Sequence, residues 1–291
     1  MKAATDYQKA TKRAETGSSV ARIVVWIALM VGGAAFVTPL YLMLTMSLKT
    51  SDELSHTSSW AWPKHPTLEN FTTVLSNENA PFVLFFRNSL VIAILSTLGV
   101  LVSSSMVAYA FARLKFRGRD RLFVLLLSTM MLPAAITMIP TYVEFKYLHW
   151  INTILPLTVP AWFGGGAFNI FLFRQFMMGI PRELDEAALL DGASYATIFW
   201  RLIIPNSGPV LATVGVFGFV YIWRDFQGPL LYLNSPEKQT LELGLRTYQS
   251  LQSEQWHLLM AGSVLVMLPL LVMFLIGQRW FVKGIAMTGG K

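Results

Sequence analysis

The residues that could do chemistry in this sequence are few and scattered. His56, His65, His149 and His257 stand alone, with no H-E-x-x-H and no paired spacing, so neither a metal centre nor a nucleophile with its base is supported. Cysteine is absent, which removes thiolate ligands and disulfides. No G-x-x-x-x-G-K-[ST] cradle occurs, and the only Gly-Lys pair is the terminal Gly290-Lys291, so the chain is not itself a P-loop ATPase. One patterned cluster does stand out, and its chemistry is that of docking. In ELDEAALLDGASYATIFWRLIIP, residues 183 to 205, Glu183, Asp185 and Glu186 put negative charge at the positive end of a helix. Pro181 suits the entry, Gly192 supplies a left-handed stop, and Ser194 can cap a second helix. Tyr195, Ile198, Phe199 and Leu202 then recur at helical spacing until Pro205 ends the run. The spacing predicts two amphipathic helices joined at a glycine, with one apolar stripe to lie on a larger body and a turn left for a partner.

That larger body is a membrane domain. Hydrophobic residues make up 54% of the chain and charged residues 13%, which does not describe a soluble domain of 291 residues. Apolar runs occur near residues 23–46, 88–112, 122–143, 154–176, 209–230 and 257–278, each long enough to span a bilayer. The first reads as a retained helix, since it lacks a small-x-small cleavage site. A sequence pI near 9.7 could suggest nucleic acid as a partner, but the basic residues flank the apolar runs, where topology places them.

Six spans put both termini on one side. Sixteen Lys and Arg residues fall on the side of the termini, including Arg113, Lys115, Arg117, Arg119 and Arg121, against six on the other. The positive-inside rule therefore places both termini and the 183–205 segment in the cytoplasm. Residues 49–84 form a polar outer connection with Trp60 and Trp62 suited to an interface or a partner, and residues 233–256 form the second. With no internal repeat, residues 1–291 read as one transmembrane domain, with a cytoplasmic N-terminal segment over about 1–22.

The segment around Glu186, Ala187, Ala188, Asp191, Gly192 and Ala193, closing at Pro205, resembles the EAA signature of ABC importer permeases. The resemblance widens through residues 169–192, 222–233 and 240–285 to the smaller, six-helix permease subunit of maltose-type carbohydrate importers, with a core over 83–285. One departure is Arg224, where members commonly carry Asn. The resemblance implies an all-α type I importer permease in the bacterial cytoplasmic membrane, with a coupling helix in the 180–206 loop between spans four and five. It implies a second permease, an ATP-binding subunit dimer that holds ATP and magnesium, and an external sugar-binding protein. No cofactor is implied on this chain.

Intramembrane polar groups are expensive and default to functional candidates. Glu144, Asn169, Arg224 and Asp225 are such groups. Tyr221, Trp223 and Asp225, with Asn169, are candidates for the sugar path, because aromatic faces and carboxylates suit sugar C–H surfaces and hydroxyls. Their structural alternative is interhelical bonding or snorkelling at the interface. By resemblance, Leu243, Gly244 and Leu245 are candidates for contact with the binding protein, and a plain ordered connection is the alternative. A permease for a non-sugar solute and an ATP-independent transporter or channel both remain open, the latter leaving the 183–205 spacing unexplained.

Overall fold

The structure, a computed structural model, describes residues 2–77, 81–245 and 255–288, with side chains over 21–77, 81–245 and 255–278. Among the described residues all regular structure is helical. Four helices are long and apolar enough to cross a membrane: Ala21–Ser47, Phe82–Arg113, Leu155–Met178 and Trp256–Gln278. Two sharply bent helix pairs bring the number to six if each counts as one span. The chain divides into two compact units, Met1–Thr72 with Glu254–Val264, and Thr73–Ser253 with Leu265–Lys291.

In the first unit α1 (Lys2–Ser47) runs into α2 (Ser51–His56), and α3 (Glu69–Ser76) begins near its end. The junction is built on polar groups. The Asn70 amide donates to the carbonyls of Ser47 and Lys49, both at 2.7 Å, satisfying acceptors that the end of α1 would otherwise leave open. Lys49 is fully buried, and its Nζ donates to the Ser58 carbonyl at 2.8 Å. Trp60 and Trp62 remain exposed on this frame.

The second unit is organised around α4 (Phe82–Arg113). Its buried face carries Ala93, Ser96, Gly99, Ser103, Ser104, Ala108 and Ala112, small residues that let neighbouring backbones approach closely. Against this face pack α8 (Ala167–Met178), α12 (Gly208–Trp223) and the broken segment ahead of α8. That segment is α7 (Leu155–Thr158) followed by a 3₁₀ turn over Val159–Trp162. Pro156 and Pro160 each sit in the first turn of their element, and where the segment tightens and then stops, carbonyls left open inside a membrane need other donors. Ser96 Oγ donates to Leu157 O at 2.9 Å and Ser103 Oγ to Ala161 O at 2.8 Å, so α4 supplies them. Gly99 is required at this contact, since a Cβ there would lie 2.7 Å from the Trp162 ring.

Two expected spans are not straight. The run at 122–143 is α5 (Arg119–Ser128) and α6 (Ala134–Tyr147), which meet at 97° across a break at Leu132-Pro133. The run at 209–230 is a second correction, because α12 stops at Trp223 and a separate α13 (Gln227–Tyr232) follows. Asp225 lies at the break, and its Oδ1 accepts from the Gly228 N–H at 3.1 Å in the first turn of α13. Arg224 and Asp225 thus lie between helices rather than late in a span. Residues 241–245 are helical, and the connection beyond them, with Arg246, lies outside the described residues.

Candidate functional site

The 183–205 segment forms α9 (Glu183–Leu190) and a second helix starting with α10 (Tyr195–Ile198). Its turn is closed by local bonds. Gly192 has φ +81°, its N–H donates to Leu189 O at 3.0 Å, and the Ala193 N–H donates to Ala188 O at 2.9 Å, which together make a Schellman stop. Ser194 Oγ then accepts from the Thr197 N–H at 3.2 Å, capping the second helix.

Pro205 does not end that helix. The chain widens into a π turn over Phe199–Ile203, where the Ile204 N–H reaches back to Phe199 O, and α11 (Ile204–Asn206) follows. The extra residue places the proline in the first turn of the last α segment, where its missing N–H is tolerated. The bend comes instead at Ser207, where the helix pair turns by 79° into α12.

The apolar stripe is buried only in part. Ile198, Phe199 and Ile203 enter a core with Ala108, Ala112, Ile170, Phe173 and Met177, while Ala188, Ala193 and Leu202 pack on its edge. Tyr195 stays 57% exposed. The outward surface of the turn carries Glu186, Ala187, Asp191 and Gly192, with Leu184, Leu189 and Leu190 beside them. Leu190 is 90% exposed, an apolar side chain offered at the tip of an acidic helix.

Two residues of α4, one turn apart, hold the two arms. Tyr109 donates from its hydroxyl to Tyr195 O at 3.3 Å and lays its ring 5.2 Å from that of Phe199. Arg113 donates from Nη2 to Met177 O and Ile180 O, both at 2.7 Å, while its Nη1 lies 3.4 Å from Asp185 Oδ2. The guanidinium therefore caps the end of α8 and pairs with α9 at once, with 3% of its side chain exposed. Sequence reasoning counted Arg113 only as a topological charge and did not single out Tyr109. Their partners lie 64 to 86 residues away, so no local motif could signal them.

The remaining candidates fall elsewhere. Tyr221, Trp223 and Asp225 line one cavity of about 210 Å³ with Ser89, Pro156, Tyr232 and Thr240. Trp223 is 3% exposed, donates from Nε1 to Val266 O at 3.1 Å, and packs against Phe86 and Phe219. Tyr221 is 80% exposed at the same place. Burial, with the Asp225 carboxylate nearby, pushes the Tyr232 phenol up from its ordinary value. Asn169 is not part of this group; its amide donates to Gly165 O at 2.7 Å within the α8 entry. Glu144 is exposed on α6.

Leu243 and Gly244 are buried, and Leu245 is half-buried. A Cβ on Gly244 would run into the Phe85 ring, so Gly244 belongs to the packing of its own unit. Burial raises the Glu242 carboxyl above its ordinary value, opposed by the Arg224 guanidinium. Sequence reasoning also missed Asn152, which holds the start of the connection that leads to these residues. With φ +61°, it accepts at Oδ1 from the Asn234 and Ser235 N–H groups, both at 3.1 Å, and its carbonyl accepts from Lys238 Nζ at 2.7 Å. Among the described residues no group of His, Cys, Asp or Glu could hold a metal ion.

Comparison with known proteins gives this arrangement a class. Residues 99–287 match the family described as the binding-protein-dependent transport system inner membrane component, and the chain belongs to that family. It is thus a multi-pass membrane permease subunit of an ABC importer. It is 32% identical to the arabinooligosaccharides transport system permease protein of Bacillus subtilis, covering 94% of this chain and 97% of that one. It is 31% identical to the melibiose/raffinose/stachyose import permease protein of the same organism, covering 91% and 95%. The fold is shared with a crystal structure of a bacterial ABC transporter involved in the import of alginate, at a TM-score of 0.80 and 21% identity over 89% of this chain and 95% of that one.

Proposed function

We propose that this chain is a six-span permease subunit of an importer that carries a disaccharide or oligosaccharide into the cell, with residues 180–206 as its coupling loop. The observation that carries the coupling reading is the anchoring of the turn: α4 grips both arms through Tyr109 and Arg113, while Leu190 and the acidic face of α9 are left uncovered. A partner that seats this turn and moves it must drag α4 and the end of α8 with it. The partner is an ATP-binding subunit dimer, which holds ATP and magnesium. Glu186, Ala187, Ala188, Asp191, Gly192 and Ala193 form the seat, and both termini lie on the same cytoplasmic side.

The sugar reading is supported by the two relatives named for oligosaccharide transport. A cavity of about 210 Å³ is smaller than sites that enclose a ligand, commonly about 300–1,000 Å³, so this chain supplies one wall of the path and a second, different permease supplies the other. Exposed Tyr221 presents its ring to the sugar, whereas the ring and N–H of Trp223 are committed to packing. A sugar-binding protein delivers the cargo to the outer face, where Trp60 and Trp62 stand exposed.

Purification of the tagged chain from its own cells tests the assembly. A P-loop ATPase and a second permease in near-equal amounts are expected, and recovery of the chain alone under gentle extraction overturns the reading. Reconstituted with those partners, the complex should show ATP-dependent sugar uptake that falls severalfold in Tyr221→Ala; unaltered uptake removes Tyr221 from the path.

A further inference from the structure

Beside the coupling loop lies a basic depression that transport as proposed above does not use. A cavity of about 520 Å³ is lined by Lys115, Phe116, Gly118, Arg119, Asp120, Arg121 and Arg182. Four of these are cations, and the single acid, Asp120, is occupied by Arg119, whose Nε donates to it at 2.9 Å. Lys115, Arg121 and Arg182 make no salt bridge among the described residues. A net positive concavity with free donors recognises a phosphate.

The positive-inside rule explains why basic residues lie on this side, but it requires only their number. It does not require residues of two separate connections to converge, as Arg182 does with Lys115, Arg119 and Arg121. Arg117, in the middle of the same connection, does not line the cavity.

The depth of the site in the membrane is set by its neighbours. Leu122, Val124 and Leu125, on the next turns of α5, are 49%, 66% and 62% exposed, and Phe116 at the cavity is 42% exposed. An apolar outer surface that gives way to converging cations within one or two turns marks the headgroup level of the inner leaflet. We infer that this depression binds the phosphate of an anionic lipid headgroup. Because Arg182 directly precedes α9, an occupied site would fix the entry to the coupling loop.

The test reads binding and not uptake, so its failure is separable from failure of the transport reading. The chain, purified with whatever partners it retains, is placed in nanodiscs containing equal phosphatidylglycerol and phosphatidylethanolamine, and retained lipid is identified by native mass spectrometry. Selective retention of phosphatidylglycerol is expected, reduced about tenfold in the triple variant Lys115→Gln, Arg121→Gln, Arg182→Gln and unchanged in Arg117→Gln. Equal retention in the triple variant and the parent overturns the proposal, as does an equal loss in Arg117→Gln. A parallel titration with inorganic phosphate identifies the source: displacement of the lipid at millimolar phosphate points to a soluble phosphate compound as ligand, and persistence of the lipid points to the headgroup.

Discussion

Arg113 and Asp185 meet at 3.4 Å across the junction of a membrane helix and the loop that follows α8, and the same guanidinium donates to the carbonyls of Met177 in α8 and Ile180 just beyond it. Three elements are therefore joined through one nearly buried cation. Replacing Arg113 by Ala leaves both carbonyls and the Asp185 carboxylate without that donor, a loss of about 3–5 kcal/mol by analogy with broken buried pairs. Asp185→Asn removes only the charge on the loop side. The Asn variant should assemble normally and hydrolyse ATP while uptake falls severalfold; parent-level uptake would show that the pair does not transmit motion.

The Gly192 turn gives a second expectation, because nothing lies within 4 Å of a Cβ built there. Any effect of substitution is then backbone strain at φ +81°, costing roughly 1–2 kcal/mol for most side chains and less for Asn. Gly192→Val should uncouple ATP hydrolysis from uptake, and Gly192→Asn should retain most of the coupling. Equal behaviour of the two in a proteoliposome assay would exclude the turn conformation as the cause.

At Gly244 the reverse holds, since the obstacle is a neighbour. Gly244→Ala should lower Tm by several degrees, and Phe85→Leu should restore much of the loss by freeing the space that the ring now fills. Independent, additive losses in the double variant would mean that the two residues are not in contact.

Glu242 yields a pH dependence. Its carboxyl is raised by burial above the ordinary 4.5, so the folded state holds this proton more tightly than the unfolded chain does. Its contribution is most favourable at acid pH and is lost as pH rises from that ordinary value through the raised one. Glu242→Gln should flatten this part of the pH–Tm profile and raise Tm at neutral pH. An unchanged profile would mean that the carboxyl is solvated as freely in the folded state as in the unfolded one.

What could be read from the sequence was what is local. Gly192 and Ser194 act on residues three to five positions away, so their turn and cap were visible as spacing. Pro205 was misread because the rule for proline assumes an unbroken α ladder, and a π turn just before it changes the ladder's register. The break at Arg224 and Asp225 was hidden inside an apolar run, although a carboxylate three residues ahead of a glycine N–H is placed to accept from the first turn of a new helix. Tyr109, Arg113 and Asn152 take their roles from contacts distant in the chain, which composition and periodicity do not encode. The family resemblance supplied the class, but not the residues that hold the 183–205 segment in place.

The helix that carries Tyr109 and Arg113 is also gripped at its other end. Asn88 donates to the carbonyls of Glu237 and Gln239 at 2.9 and 3.0 Å, and Ser89 Oγ accepts from the Leu241 N–H at 2.7 Å. From Asn88 to Arg113 the helix is continuous and contains no proline, roughly 37 Å at 1.5 Å per residue. Under the proposed function, one unbroken helix holds the coupling loop near one end and residues 237–241 near the other, so a displacement of the loop is carried along a single element with no relay of side chains.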